Sequence, residues 1–232
     1  MSMFPQQVNP WQTKKVLISI KTYPNPSMQY QETVCTAGVT DKGEWIRLYP
    51  ITFRYLPYDK QFKKYHWIEV DVKKHNQDIR PESFRPNLDS IKVINECSTK
   101  NKWLERKKIL LPLSKSSLEE INQLYDKYKI SLGMFKPKEI LDFYWNKTED
   151  KWSNKHEAVL SQLCLFGNRP KQLEKVPYDF RYKFRCDDSS CKGNHDLRII
   201  DWEIFQAYRD WRNKYESNTL LDKIKEKWLN YL

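Results

Sequence analysis

An alternation of apolar and polar residues with a period of two runs through the first half of the chain. In KKVLISIKT, the β-branched residues Val16, Ile18 and Ile20 fall on one face, which is typical of a half-buried strand. ETVCTAGV and EWIRLYPI repeat the alternation on either side of the turn DKG, where the glycine supplies a positive-φ position. YHWIEVDVK and DSIKVINE continue it. We therefore predict a β-rich first region with a hairpin at its centre.

Helical spacing of the apolar residues appears in the second half. Ser117 and Glu120 form an S-x-x-E capping box ahead of one apolar stripe. A second stripe, WEIFQAYRDW, follows Asp201, which is therefore predicted to be an N-cap. Thr219 with Asp222 is predicted to cap a last helix. Between these helices, VPYDFRYKF alternates like a strand, and AVLSQLCLF fits either a strand or a helix.

Composition narrows the functional classes. The chain has 232 residues, enough for one large or two small domains, and its five glycines argue against a glycine-rich nucleotide loop. The net charge of +11 favours a polyanionic partner. Residues 60–108 carry thirteen Lys and Arg against seven Asp and Glu, so over half of the excess lies there. A solvated basic face remains the alternative explanation.

The chain is expected to be cytoplasmic. Its first residues lack a charged segment followed by an apolar run, and no apolar stretch approaches the length of a membrane span. The five cysteines are then expected to be reduced, which favours free thiols or metal ligands over disulfides.

The stretch FRCDDSSCKGNHDL brings together residues that bind zinc. Cys186, Cys191 and His195 are spaced as Cys-x4-Cys-x3-His, and thiolate and imidazole suit tetrahedral Zn²⁺. Cys164 on the preceding apolar run is the predicted fourth ligand. Four protein ligands would make the site structural. A loop with two free thiols and a histidine, or a Cys/His nucleophilic pair, are the alternatives.

A metal-dependent nuclease is an alternative function. Asp71 and Lys73 form D-x-K on a predicted strand, and Asp59 lies upstream. Carboxylates that hold Mg²⁺ beside a lysine are what phosphodiester cleavage requires. A solvated, charged strand face also explains this short motif.

The strand EWIRLYPI offers a nucleic-acid surface. Its period of two places Trp45, Arg47 and Tyr49 on one face, where aromatic rings stack bases and the guanidinium binds phosphate. Burial of both rings around a paired arginine is the alternative. Further basic residues are predicted to extend the surface, together with the run ERKK at 105–108: Arg54, Lys63, Lys64, Arg80 and Arg85.

The segment from Lys15 to Ile51 resembles the opening of the dual-OB-containing domains of bacterial conflict and defence systems. There, a strand precedes a Cys-x-Ala-Gly strand, a turn and Gly-x-Trp-Ile-Arg. The matching residues are Cys35, Ala37, Gly38, Gly43, Trp45, Ile46 and Arg47. The resemblance implies two OB-like barrels, the second at about residues 130–205, and a role in binding nucleic acid or a nucleotide.

These observations predict an α+β, β-rich fold of OB-like barrels with flanking helices. The expected domains are an OB-like domain at 12–110 and a mixed α/β domain at 111–232, for which a second OB-like unit with terminal helices is one interpretation. The expected function is nucleic-acid recognition as an adaptor in anti-phage defence, with DNA or RNA and a further defence protein as partners. Besides the nuclease, a basic protein that binds an acidic protein partner is the remaining alternative.

Overall fold

The protein has an α+β fold in which the first half forms a closed five-stranded barrel. The computed structural model describes residues 10–161 and 170–230, except for the side chain of Asn218. The strands of the first half are β1 (Gln12–Lys21), β2 (Asn25–Ser27), β3 (Gln31–Thr40), β4 (Trp45–Ile51), β5 (His66–Lys74), β6 (Ser83–Pro86) and β7 (Lys92–Glu96).

Backbone pairing closes the barrel without leaving a gap between strands. β1 pairs antiparallel with both β3 and β5, and β3 pairs antiparallel with β4. β6 completes the ring because it lies parallel to β4 and antiparallel to β5. The strand order around the barrel is therefore β1-β3-β4-β6-β5, while β2 and β7 pair outside the ring with β3 and β5.

The period-two prediction for the central hairpin is confirmed. Ile46 and Leu48 point into the barrel and are at most 1% exposed, whereas Trp45, Arg47 and Tyr49 lie on the outer face and are partly covered. The same alternation on β5 buries the aliphatic side. The barrel interior consists of Val16, Ile18, Val34, Ile46, Leu48, Ile51, Phe53, Leu56, Phe62, Ile68, Val70, Val72 and Ile91.

Gly38 allows β1 and β3 to approach closely. A Cβ atom at this position would lie 2.2 Å from the backbone oxygen of Leu17 and 2.8 Å from Cγ1 of Val16. Because the first of these neighbours is backbone, a side chain could be fitted only by moving the two strands apart. The glycine on β3 is thus required by packing.

The second half contains most of the helices. Its elements are α1 (Lys100–Leu110), β8 (Ser114–Lys115), α2 (Leu118–Tyr128), β9 (Met134–Phe135), β10 (Glu139–Lys147), α3 (Asn154–Ser161), β11 (Tyr178–Arg185), β12 (His195–Arg198), α4 (Trp202–Trp211) and α5 (Ser217–Leu229). The stretch AVLSQLCLF begins as the last turn of α3, and its remainder lies outside the described residues.

An open sheet replaces the expected second barrel. Within the described part of the second half, β10, β11 and β12 form a three-stranded antiparallel sheet that does not close. Helices α4 and α5 cover one face of this sheet and pack Ile204, Phe205 and Ile224 against Phe143 and Phe180. Alternation in VPYDFRYKF identified the strand correctly, but alternation does not determine whether a sheet closes or is covered by helices.

Two of the three predicted helix starts are confirmed. Ser117 caps α2 by accepting a hydrogen bond from the backbone N–H of Glu120 at 3.1 Å, and Asp201 caps α4 by accepting from the N–H of Glu203 at 2.8 Å. The prediction that Thr219 and Asp222 cap the last helix is wrong. α5 begins at Ser217 with Glu216 at its N-cap position, so Thr219 and Asp222 lie inside the helix.

The two halves meet around Lys21, at the end of β1. Its ammonium lies 4.0 Å from the ring centre of Phe53 and 4.8 Å from that of Trp202 on α4, and it donates to the carbonyl oxygen of Phe62. The backbone of the next residue, Thr22, forms a β-bridge with Asp201. Burial lowers the pKa of Lys21 to about 8, although Asp201 nearby opposes this shift. Among the described residues, none of the helices is long and apolar enough to cross a membrane.

Candidate functional site

A cavity of about 450 Å³ opens on the outside of the barrel, where strand β4 meets the loop between β5 and β6. Helix α2 forms its far side through Tyr125. Three of the residues predicted to bind nucleic acid lie here, with five that the sequence did not single out. The lining residues are Arg47, Tyr49, His75, Gln77, Asp78, Ile79, Arg80 and Tyr125.

Asp78 organises the floor of this cavity. Its carboxylate accepts from Nη1 of Arg47 at 3.0 Å, from Nε and Nη2 of Arg80 at 2.8 Å each, and from the hydroxyl of Ser83 at 2.7 Å. The hydrogen bonds from Arg80 hold the pKa of Asp78 well below its usual range. Because two guanidinium groups share one carboxylate, the network keeps a net positive charge.

Arg47 has a largely structural role within this network. Its side chain is 13% exposed, and besides Asp78 it donates to Ser83 and to the sulfur of Cys35. The guanidinium carbon also lies 4.9 Å from the ring centre of Tyr49. Arg80 is more accessible, with a side chain that is 30% exposed. Arg80 and Tyr49 are therefore better placed than Arg47 to contact a ligand.

A second cavity of about 460 Å³ continues from the first, since His75 and Gln77 line both. Lys73, Lys74 and Arg85 line it without a carboxylate partner among the described residues. The Lys74 ammonium donates to the carbonyl oxygens of residues 80 and 81, Lys73 lies over the ring of Trp11, and Arg85 donates to the hydroxyl of Tyr30. Their charges are therefore not neutralised by any carboxylate in the described part of the chain.

The other predicted nucleic-acid ligands lie outside these cavities. Arg54 forms two hydrogen bonds, of 2.7 and 2.8 Å, to Glu32, which is 1% exposed, so its charge is used inside the fold. Lys64 pairs with Asp201 and Glu203; burial alone would lower the pKa of Lys64, but these carboxylates raise it. Lys63 is exposed, and Trp45 lies nearer the other end of β4.

The residues of the nuclease hypothesis do not form a metal cluster. Asp71 accepts a hydrogen bond from the hydroxyl of Thr13 at 2.6 Å, and Lys73 packs on Trp11. Within residues 10–161 and 170–230, no group of three or more Asp, Glu, His or Cys side chains that could hold a metal includes Asp59 or Asp71.

A possible metal-binding cluster lies at the end of the three-stranded sheet. Cys186 follows β11, Cys191 lies in the loop, His195 begins β12, and Glu119 reaches them from the first turn of α2. The donor atoms lie within 4.8 Å of one another. Nε2 of His195 is 2.7 Å from Oε1 of Glu119 and 3.3 Å from the sulfur of Cys191. Ligands of a tetrahedral zinc ion are roughly 3.3–3.8 Å apart, so a small adjustment would accommodate one.

The surrounding backbone supports this cluster. The N–H of Leu118 donates to the sulfur of Cys186 at 3.3 Å, and the N–H of Cys186 donates to the sulfur of Cys191 at 3.3 Å. The buried hydroxyl of Ser117 donates to Asp188 in the same loop at 2.6 Å. Three successive residues at the start of α2 thus contact one hairpin loop.

The chemistry of these donors fits a metal. Burial raises the pKa of the Cys186 thiol to about 11, and a bound cation would reverse this because a coordinating thiol is deprotonated. Oε2 of Glu119 is buried and has no hydrogen-bond partner among the described residues, so it is available as a metal ligand. Cys164, the predicted fourth ligand, lies outside the described residues.

Sequence reasoning missed Glu119 and Tyr125 for different reasons. Glu119 lies 76 residues before His195, and in sequence it is one of two glutamates that follow an N-cap, where acidic residues are common for capping alone. Tyr125 belongs to the apolar spacing of α2, but it is 42% exposed. No local pattern distinguishes either residue from a structural one.

The fold and the site define an α+β protein with a closed barrel, a basic cavity on its outer face and a cluster of Glu, Cys, Cys and His. The chain belongs to the family described as Domain of unknown function (DUF8757), whose model matches residues 114–232. A second model, Domain of unknown function (DUF8758), matches residues 12–112. Neither match links the chain to the dual-OB domains that residues 15–51 resemble. Searches among curated proteins and among solved structures found no match.

Proposed function

We propose that this protein binds single-stranded nucleic acid in the groove formed by the two adjoining cavities on the outer face of the barrel. The observation that carries the proposal is the continuous groove beside β4 and the 75–82 loop. In it, basic residues without a carboxylate partner among the described residues adjoin the partly covered ring of Tyr49 and the exposed ring of Tyr125. Such a combination tracks phosphates and stacks bases, largely independently of sequence.

The strand order supports an OB-type barrel. OB folds are five-stranded Greek-key barrels whose second and third strands, with the loops after the first and fourth strands, bind oligonucleotides or oligosaccharides. Along the chain the barrel strands are β1, β3, β4, β5 and β6, so β3 and β4 correspond to the second and third strands, and residues 75–82 correspond to the loop after the fourth. The groove therefore lies where a ligand of an OB barrel is expected.

The charges favour a nucleic acid over a neutral oligosaccharide. Lys73, Lys74 and Arg85 supply three positive charges that form no ion pair within residues 10–161 and 170–230, and the network around Asp78 adds the excess charge of Arg80. Tyr49 and Tyr125 supply ring faces on the two sides of the first cavity. Phosphate binding by the basic residues and base stacking on the two tyrosines would act together.

The same proposal assigns Zn²⁺ to the cluster in the second half. Two thiolates and an imidazole are donors that select zinc over the hard cations, and a carboxylate completes four-coordination. With four protein ligands, no position remains for substrate. The assigned role is therefore structural, and a barrel-bound nucleic acid would be held without being cut.

Binding can be tested by fluorescence anisotropy with labelled DNA and RNA strands of about 16 nucleotides, the upper site size of one OB fold. The logarithm of the association constant should fall linearly with the logarithm of the salt concentration. Four neutralised phosphates on a single strand, one for each positive charge of the groove, give a slope of about −3. Arg85→Gln should reduce this slope by about 0.7.

Lys42→Gln is the matched control, because it removes one exposed charge in the turn that joins β3 to β4, at the opposite end of β4 from Tyr49. Its slope should equal that of the wild type. Tyr49→Ala should weaken binding by about 1–3 kcal/mol with an unchanged slope. A folded wild-type protein without salt-dependent affinity for either strand would overturn the proposal and favour the acidic-protein alternative.

A further inference from the structure

Helix α2 is connected to both candidate sites. Its first turn carries Glu119 of the metal cluster, and its last turn carries Tyr125 of the groove. They are six positions apart, which is about 9 Å along a helix axis and about 120° around it. One face of α2 therefore meets the hairpin loop, while another faces the barrel.

The C-terminal side of α2 is attached to the groove loop itself. The backbone N–H and the hydroxyl of Ser131 donate to Oε1 of Glu82 at 2.7 and 2.6 Å. Glu82 is buried, and its own carbonyl oxygen accepts from the N–H of Arg47 at 2.8 Å. Gly133 packs against Ile121 of α2, with no room for a side chain.

We propose that α2 is the second wall of the groove, that Tyr125 is a base-stacking residue supplied by the second half of the chain, and that the metal at Glu119, Cys186, Cys191 and His195 holds this wall in place. This inference rests on the proposed function of the groove. It makes nucleic-acid affinity depend on a metal ion that never touches the ligand. Without the ion, the first turn of α2 keeps only its direct hydrogen bonds to the hairpin and loses the bridge that joins the four ligands.

Tyr125 can be tested against a neighbour on the same helix. Tyr128 is also exposed, and each ring lies near a lysine ammonium, at 5.4 Å from Lys129 for Tyr125 and 5.0 Å from Lys127 for Tyr128. Only Tyr125 lines the cavity. Tyr125→Ala should weaken binding of the oligonucleotide about tenfold. Tyr128→Ala should stay within about twofold of the wild type.

The link to the metal can be tested by removing zinc from the full-length protein with a chelator. Affinity should fall about tenfold in the wild type but change little in Tyr125→Ala, because both perturbations remove the same contact. Added Zn²⁺ should restore the wild-type affinity. Equal losses in the wild type and in Tyr125→Ala, or protein that contains no metal when purified without chelators, would overturn the role of the metal.

Hydrogen exchange provides a readout that needs no ligand. Chelation should speed exchange in α2 and in residues 75–82, while β1 and β5 remain protected. If α2 loosens but residues 75–82 do not, or if the barrel strands open as well, the ion does not act by positioning this wall. A wild type that never binds nucleic acid would defeat the proposed function. A wild type that binds but responds equally to Tyr125→Ala and Tyr128→Ala would defeat only this inference.

Discussion

The barrel and the second half of the chain are stabilised in different ways. The barrel closes through backbone pairing between five strands around an aliphatic interior. The second half has an open sheet, and the hairpin at its end is tied to a helix whose contacting residue lies 76 positions earlier. This difference implies that the barrel and the helix-covered sheet are held by their apolar cores, whereas the position of α2 on the hairpin depends on a few long-range polar contacts.

Removal of the metal should produce the largest difference in stability between the barrel and the second half. Structural zinc contributes on the order of 10 kcal/mol to the folding of small zinc domains, so chelation or Cys191→Ser should unfold the hairpin loop and the start of α2. The measurement is zinc content together with thermal unfolding followed by hydrogen exchange. The barrel strands should remain protected.

Cys35→Ser is the control for this experiment, because it removes a partly exposed thiol that contacts Arg47 in the barrel. It should bind about one zinc per chain, as should the wild type. Simultaneous loss of protection in β1, β5 and the hairpin loop would show that the two regions do not fold independently.

Gly38→Ala should instead destabilise the barrel. The added Cβ would meet the backbone oxygen of Leu17 at 2.2 Å, so the barrel should lose about 3 kcal/mol in its free energy of unfolding, at the upper end of overpacking effects. Gly43→Ala is the comparison: it has positive φ but no atom within 4 Å, and should cost about 1 kcal/mol. Chemical denaturation measures both, and equal losses would contradict the close-approach argument.

The two regions also differ in which of their features could be predicted from the sequence. Period-two alternation in EWIRLYPI and YHWIEVDVK predicted the strands and the residues that share each face, because each pattern is local. It did not decide which face is buried. The spacing of Cys186, Cys191 and His195 likewise brought three donors together on one hairpin. Glu119 could not be predicted, since its position depends on how α2 packs on that hairpin.

The basic residues also show that contacts formed only in the folded chain could not be predicted from the sequence. Arg54 and Arg85 look alike in sequence, yet one is buried against Glu32 and the other lines an open cavity. Charge composition predicts an excess of positive charge but not which cations are neutralised inside the fold. The expected second barrel failed for a related reason, because strand patterns do not report sheet closure.

The junction between the regions should respond to pH through Lys21. Its folded-state pKa of about 8 lies below the unfolded value, so the folded state releases its proton first and stability should rise as pH increases from about 8 to 10.5. The free energy of unfolding should increase by about 2 kcal/mol over this range. This is less than the pKa difference alone would give, because the rings of Phe53 and Trp202 favour the charged form of Lys21.

Comparison with Lys21→Met isolates this contribution from other groups that titrate at alkaline pH. The difference in unfolding free energy between wild type and variant should be constant below about pH 7 and should then shift in favour of the wild type. A difference that stays constant up to pH 10.5 would show that Lys21 is not desolvated at the junction.

The smallest expected effect is that of Asp201→Asn. Asparagine keeps the cap on α4, and the ion pair with Lys64 that it removes is partly exposed, so stability should fall by about 1 kcal/mol or less. Asp201→Ala, which removes the cap as well, should be more destabilising in thermal denaturation. Equal effects of the two substitutions would show that the ion pair rather than the cap stabilises α4.

The central claim is that nucleic acid lies in the groove between β4, the 75–82 loop and α2. The most direct measurement is ultraviolet cross-linking of a single-stranded oligonucleotide to the wild-type protein, followed by mass spectrometry of the linked peptides. The account predicts cross-links at Tyr49, His75 and Tyr125, which salt should reduce and which Arg85→Gln should weaken. Cross-links confined to the aromatic residues of the second-half cavity around Trp152, or to the exposed Trp103 of α1, would contradict it.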